Sequence, residues 1–240
     1  MTRTSELPEL PELPELATAK AEETRARILN AALRLFRERG FDSATMRDVA
    51  AEAGVANGAA YYYFRSKEEL VMAFYIRGAV EMRGILPAEL ARTRDLKKRL
   101  KRIIELKFDQ FADHRAFLVA LFRTAVDPLS PLSPFGEGTR AVREETIDWF
   151  RQALAGTTEK VPPEFLPYLP RLFWLYQMGL ILFWIYDRSK GQARTRSLVD
   201  GTLDLIVRGL RLSRLPLMGS LRASVARLLR TVDSSGVNHV

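Results

Sequence analysis

The chain has no cysteine. Disulfide frameworks, thiolate metal sites and cysteine nucleophiles are therefore excluded. Histidine is almost as scarce: the only two in 240 residues, His114 and His239, lie far apart, so neither a histidine metal site nor a Ser-His-Asp relay is expected. No glycine-rich phosphate loop follows a strand pattern, and Gly136-Glu137-Gly138 has no strand before it. Catalysis, a metal and a cofactor are accordingly not expected. Long apolar runs are missing too. The longest, Leu172 to Tyr186, is 15 residues broken by Gln177, short of the roughly 20 that span a bilayer. The N-terminus lacks the apolar core of a signal peptide. A cytoplasmic protein with no membrane partner is the expectation.

The sequence is rich in helical periodicity, and no stretch of strand-like alternation is convincing, so the expected fold class is all-α. Apolar residues make up 47% and charged residues 28%, and the net charge is +8, which fits an anionic partner. The excess is unevenly spread. Lys20 to Leu70 carries nine basic against eight acidic residues, Arg92 to Arg115 nine against four, and Asp187 to Arg230 ten against three. Any nucleic-acid reader in the first of these segments must work through the placement of a few charges rather than through bulk basicity.

Residues 1–19 contain Pro8, Pro11 and Pro14 in a Pro-Glu-Leu repeat, which excludes a helix interior and predicts an extended or disordered arm. A helical pattern starts at Glu22, with Ile28, Ala31, Ala32, Leu35 and Phe36 on one face and Gly40 as its stop. A second helix opens at Thr45, with Asp48 in a capping-box position, and ends at Gly54. A third short helix covers Asn57 to Tyr63. A fourth opens at Ser66, runs to Met82 and is closed by Gly84 and Pro87. Longer helices follow over Asp95–Ala112, Arg115–Val126, Thr139–Ala155, Leu169–Tyr186, Ala193–Leu212 and Leu217–Thr231, with proline loops between 128 and 134 and between 162 and 167.

The decisive stretch runs from Thr45 to Lys67, TMRDVAAEAGVANGAAYYYFRSK. It reads as helix, glycine turn, short helix, capped helix. Small residues at Ala50, Ala53 and Ala60 let two short helices approach closely. Gly54 supplies a positive-φ turn, and Val55 plugs the core beneath it. The short helix is then held proud of the surface, where its N-terminal end fits a major groove. Tyr61 and Phe64 are expected to pack inward.

This block resembles the TetR family of transcriptional regulators. The residues that carry the likeness are Arg39-Gly40-Phe41, Thr45, Ala53-Gly54-Val55, Tyr61-Tyr62-Tyr63-Phe64 and Ser66-Lys67-Glu68, within a match from about Arg25 to Phe74. The resemblance implies a helix-turn-helix DNA-binding domain over 20–67, followed by a helical ligand-binding and dimerisation domain over 68–240. It implies phosphate contacts from Thr45, Tyr62, Tyr63 and Lys67. Base reading falls to Asn57, Gly58 and Ala59, with Arg47 as helper. Asparagine and arginine pair bidentately with adenine and guanine. Ala56 and Ala59 depart from the family, where hydroxyl residues are common. Methyl contacts and DNA shape are therefore expected to matter more here.

The apolar helix Leu169–Tyr186 needs cover on every face. With Leu198, Leu203, Leu205, Ile206, Leu210 and Leu212 on the following helix it is expected to form a homodimer interface. The resemblance further implies a small-molecule effector, with Phe108, Phe111, Phe117, Phe122, Trp149, Trp174 and Gln177 as candidates for an aromatic pocket wall. The expected role is a repressor released from a palindromic double-stranded DNA operator by an apolar or amphipathic ligand. The competing reading is a basic helical module that binds a membrane surface or a protein partner, built on Arg92 to Ile103 and the C-terminal arginines. Binding to anionic vesicles that survives Lys67→Ala and Tyr62→Phe, without any operator binding, is the outcome that favours this competitor.

Overall fold

The computed structural model describes residues 9–10, 18–125, 127 and 129–235. Among these residues are ten α-helices: α1 Ala19–Arg39, α2 Met46–Glu52, α3 Asn57–Tyr63, α4 Lys67–Ala91, α5 Leu96–Phe111, α6 Arg115–Ala125, α7 Arg140–Ala155, α8 Leu169–Tyr186, α9 Ala193–Ser213 and α10 Gly219–Ser235. No strand occurs among the described residues, and the fold is all-α as expected. The Pro-Glu-Leu arm lies outside them except for Glu9 and Leu10 in its repeat and Thr18 and Ala19 at its end, and His239 lies outside them as well.

Local chemistry explains the helix ends. Thr18 caps α1 by accepting the Ala21 N–H at 3.2 Å. The helix stops where Gly40 adopts φ +85° and donates its N–H to the Phe36 carbonyl. Asp95 accepts the Lys98 N–H at 2.8 Å and so starts α5.

One expected boundary was wrong: α4 does not close at Gly84 and Pro87 but continues to Ala91 with Pro87 inside it. Proline removes one donor and crowds the preceding turn. Here it faces solvent, where water can serve the released Arg83 carbonyl, while Met82, Leu86 and Leu90 form a buried stripe along the helix. Packing of that stripe outweighs the missing hydrogen bond.

The chain forms two compact units, Met1–Gly84 with Asp109–Thr146, and Ile85–Phe108 with Ile147–Val240. The core of the first is aromatic. Phe36 of α1 stacks on Phe117 of α6 at 5.6 Å, and Phe74 of α4 meets Phe111, Phe117 and His114 at 6.0, 5.6 and 5.0 Å. Burial of each such ring is worth about 1.5–3 kcal/mol. His114 is half-buried there, and its pKa is lowered by burial first and by the nearby Arg77 second. Arg83 grips the buried Glu145 with two hydrogen bonds of 2.9 and 2.7 Å. The Gln110 amide donates to the Gly78 carbonyl at 3.0 Å, in space that a side chain at Gly78 would occupy.

The second unit turns on a buried arginine. Arg99 donates to the carbonyls of Leu90, Thr93, Gln152 and Ala153, so its guanidinium closes the C-terminal ends of α4 and α7 together. A cation there satisfies the orphan carbonyls and complements both helix dipoles. Asp187 fastens α8 to α9. It accepts the N–H and hydroxyl of Ser189 and of Thr195 at 2.7–2.9 Å. Burial raises its pKa, but these four bonds outweigh burial and hold the carboxyl far below its ordinary range.

Gly156 leaves the space that Arg99 fills: a Cβ there would sit 2.2 Å from Nη2. Gly156→Ala is expected to lower the unfolding free energy by about 1–3 kcal/mol. Gly84→Ala, on an exposed turn of α4 with nothing within 4 Å, should instead raise it by about 0.5–1 kcal/mol. Denaturant titration of both variants checks the pair, and equal effects of the two would contradict the assignment.

Candidate nucleic-acid interface

The site is built outward from α2. Thr45 caps it in a reciprocal box: its hydroxyl accepts the Asp48 N–H at 3.1 Å, while its own N–H reaches Asp48 Oδ2 at 2.9 Å. The same hydroxyl also donates to Oδ2 at 2.6 Å. The Asp48 carboxyl is held below its ordinary range by the Thr45 hydroxyl, then by the Thr45 amide, with Arg39 and Arg47 adding to both against the cost of desolvation. Thr45 is exposed, yet its amide and hydroxyl are already engaged by a carboxylate.

The corner after α2 follows from one residue. Gly54 takes φ +64°. Its N–H meets the Ala51 carbonyl at 3.1 Å, and the Val55 N–H meets the Ala50 carbonyl at 3.0 Å. This pair of bonds is the Schellman closure, which needs a left-handed residue at the glycine position. Ala50, Ala53 and Ala60 are buried with side chains small enough for α2 and α3 to touch. Phe64, also buried, ends α3 by donating to the Ala60 carbonyl at 2.9 Å, and the Arg25 guanidinium sits over its ring at 5.3 Å.

With Ala60 and Phe64 turned inward, the rest of α3 faces out. Asn57 and Gly58 are exposed, and Ala59 and Tyr63 are half-buried. Tyr62 is 78% exposed and meets Tyr63 edge-on at 5.2 Å. Tyr61 was expected to pack inward and does not: it is 47% exposed, because it lies about a quarter-turn from the buried Ala60–Phe64 edge. Arg47 is exposed on the first turn of α2. Ala56 precedes α3 with no side-chain cap, as its sequence implies.

Lys67 is the first residue of α4. Its ammonium donates to the carbonyls of Phe41 at 2.7 Å and Asp42 at 3.2 Å and lies over the Phe41 ring at 4.7 Å. It therefore braces the α1–α2 turn across 25 residues of sequence. Nothing in the sequence signals this long-range brace. At the same helix start Ser66 accepts the Glu69 N–H at 3.3 Å, but Glu69 reaches the Arg65 N–H at 2.7 Å rather than closing back on Ser66.

The residues considered for a ligand wall fall into both units. Phe111, Phe117 and Phe122 are in the first, where Phe111 and Phe117 form part of the aromatic core already described. Phe108, Trp149, Trp174 and Gln177 are in the second. There Phe108 stacks on Trp184 at 5.4 Å, Trp149 lies under Lys107 at 5.6 Å, and Trp149, Trp174 and Gln177 are all buried. Among the described residues no group of His, Asp and Glu is arranged to hold a metal, and no helix is long and apolar enough to cross a membrane.

Comparisons with known proteins agree with this geometry. Residues 28–74 match the family described as bacterial regulatory proteins, tetR family, and residues 99–225, more than half of the chain, match the tetracyclin repressor-like C-terminal domain. The HTH-type transcriptional regulator YerO of Bacillus subtilis is 33% identical over 109 residues, which cover 44% of this chain and only 37% of that regulator. A TetR-family regulator from Syntrophomonas wolfei superposes with a TM-score of 0.63 at 18% identity, covering 79% of this chain and 97% of that one. A structure described as the SmeT-Triclosan complex superposes with a TM-score of 0.56 at 20% identity, covering 75% and 90%. At these identities the structural likeness establishes the fold.

Because the Thr45 hydroxyl serves as both acceptor and donor, Thr45→Ala is expected to cost about 1 kcal/mol of stability. Asp48→Asn, which keeps an acceptor for the Thr45 N–H, should cost less. Guanidinium unfolding of the two variants is the check, and an unchanged Thr45→Ala midpoint would show that the box does not stabilise α2.

Proposed function

The chain belongs to the TetR family of bacterial regulatory proteins, and from that premise we propose that it is a DNA-binding transcriptional repressor, a homodimer released from a palindromic operator by a small apolar or amphipathic molecule. The observation that carries this reading is α3 itself. It is a seven-residue helix anchored on one edge by Ala60 and Phe64, with Asn57, Gly58 and Tyr62 turned to solvent. A large aromatic side chain exposed to that degree, with a hydroxyl at its tip, is suited to contact rather than to packing.

In this reading Tyr62 and Tyr63 donate hydroxyls to backbone phosphates. Lys67 keeps two of its three N–H bonds on the Phe41 and Asp42 carbonyls and offers the third to a phosphate. Thr45 contributes at the start of α2 once a phosphate displaces the Asp48 carboxylate. Those contacts position the protein, and Arg47, Asn57, Gly58 and Ala59 read base edges.

Two copies of α3 are needed to read a palindrome. The surface that would join them is an apolar stripe on each of two neighbouring helices. On α8 it runs through Leu172, Leu175, Gly179, Leu182 and Tyr186, and on α9 through Leu198, Thr202, Leu205, Gly209 and Leu212. The alternation of three and four residues is the packing seam of a helix bundle. Leu205 is 69% exposed in the single chain, and a Cβ at Gly179 or Gly209 would meet nothing within 4 Å, so a second pair of helices has room to approach.

The effector half of the reading rests on the buried aromatic interior of the second unit, and on the triclosan held by SmeT. A ligand that favours one subunit geometry over another by about 1–3 kcal/mol would weaken operator binding about 5- to 150-fold. The basic segment Arg92 to Ile103 is poorly suited to a lipid surface. Lys97 pairs with Asp204, Lys101 with Asp200 and Glu105, Arg102 with Glu89, and Arg99 is buried.

Selection of bound sequences from a random DNA pool by the purified protein tests the reading. It predicts a two-fold symmetric consensus with half-sites about one helical turn, or a multiple of it, apart. An enriched pool without symmetry, or no enrichment, would contradict it. On the selected site Asn57→Ala should relax one base position, and Lys67→Ala should weaken all sequences alike and flatten the salt slope by about one. Asp48→Asn should tighten binding about fivefold, since it removes roughly 1 kcal/mol of repulsion near a phosphate. Leu205→Arg should convert the dimer to monomer in sedimentation velocity; an unshifted dimer would reject this interface.

A further inference from the structure

Gln177 is an unusual polar side chain among the described residues of the second unit. It is completely buried, and neither its Oε1 nor its Nε2 has a hydrogen-bond partner among the described residues. Buried amides are almost always paired, and an unpaired one loses its hydration without compensation. Other buried polar side chains of this unit are held: Arg99 by four carbonyls, Asp187 and Thr195 by each other, and the Lys107 ammonium lies over the Trp149 ring. Among the described residues of this unit, Gln177 alone is a buried side chain with both a donor and an acceptor unmet.

Its surroundings specify what would meet them. On α8 the buried face runs Phe173, Trp174, Gln177, Leu180 and Trp184, so the amide is the single polar step in an aromatic stripe. One turn before it, Phe173 packs on Phe150 of α7 at 5.8 Å. Two turns after it, Trp184 stacks on Phe108 of α5 with the rings nearly parallel. Aromatic rings therefore precede and follow the amide along the buried face of α8. A primary amide pairs best with a group that presents an acceptor and a donor side by side, as a carboxamide or lactam does.

We propose that Gln177 is the recognition group of the effector site, and that the effector class is a neutral, flat aromatic molecule bearing a carboxamide-like donor–acceptor pair. The proposal deepens the ligand-responsive part of the function given above and rests on it. The aromatic stripe supplies affinity without discrimination, and the amide supplies the choice. A site built to hydrogen-bond a polar group rejects the isostere that lacks it much more strongly than an apolar pocket rejects an extra methyl.

The test uses the full chain and three matched pairs of probes: benzamide, 2-naphthamide and biphenyl-4-carboxamide, each against the same ring system carrying an isopropyl group. Affinities come from calorimetric titration. Quenching of tryptophan emission reports the location, because all three tryptophans, Trp149, Trp174 and Trp184, lie in the second unit. The expected result is that at least one carboxamide binds about tenfold or more tightly than its isopropyl partner. Gln177→Met, which keeps the shape of the side chain and removes the amide, should bring that ratio close to one. It should also raise the melting midpoint of the ligand-free protein by about 2–4 °C, since an unpaired polar group has been removed.

Three results would overturn the proposal. One is equal affinities within every pair in the unsubstituted protein. Another is a preference that persists in Gln177→Met. The third is a lower melting midpoint for Gln177→Met, which would mean that the amide is already satisfied inside the fold, for example by a buried water. Binding to the selected DNA site, measured on the same unsubstituted protein without probe, separates the two claims. Operator binding without carboxamide preference removes only the effector proposal. Carboxamide preference without operator binding removes the regulator reading and leaves the site.

Discussion

The left-handed turn at Gly54 is the constraint on which the nucleic-acid interface depends. A seven-residue helix has almost no stability of its own, since the cost of its first turn is not repaid over so short a length. α3 persists because the corner places it against α2, where Ala50, Ala53 and Ala60 permit contact and Phe64 pins the far end. The corner needs φ +64° at one position, and the bonds from the Gly54 and Val55 amides to α2 hold it there. Everything exposed on α3 is exposed because those few inward contacts have used up one edge of the helix.

Electrostatics around the corner are local rather than general. The chain carries a net charge of +8, but the cations of α5 are largely spent within the second unit, on Asp200, Asp204 and Glu89. Near α2 the balance is close. Arg34 pairs with Glu52 and Arg39 with Asp48, both on the exposed surface, where such pairs are worth little. The Asp48 carboxylate occupies the N-terminus of α2, the very place where an anion is favoured. It behaves as a resident anion that stabilises the helix, and it would oppose any phosphate brought to the same spot. Lys67 has a similar double character, since bracing the turn at Phe41 and Asp42 also fixes where its remaining donor points.

Much of this architecture was legible in the sequence because local signals and long-range packing agreed. The period of Ile28, Leu35 and Phe36, the Thr45–Asp48 box, the glycine at 54 and the alanines around it each point to the same corner. The apolar helix over Leu169–Tyr186 was recovered with the same ends. Other features were hidden for identifiable reasons. Pro87 read as a stop, because a residue's exposure decides whether its missing donor matters, and exposure is set by the fold. Tyr61 read as core, because one step along a short helix decides which edge is inward. The bond from Lys67 to Phe41 and the cluster of carbonyls around Arg99 join residues tens of positions apart, and no spacing rule reports them. In the sequence Gln177 is a break in an apolar run and a candidate for the pocket wall, but that its amide is unmet follows only from its neighbours in the fold.

The most direct test of the account is operator affinity across substitutions of Gly54, measured beside the thermal midpoint of each protein. Gly54→Asn, which tolerates the left-handed conformation, should retain binding within about tenfold, whereas Gly54→Val, which does not, should lose specific binding while still folding. A Gly54→Val protein that binds the selected site as tightly as the unsubstituted chain would contradict the claim that this corner presents α3 to DNA.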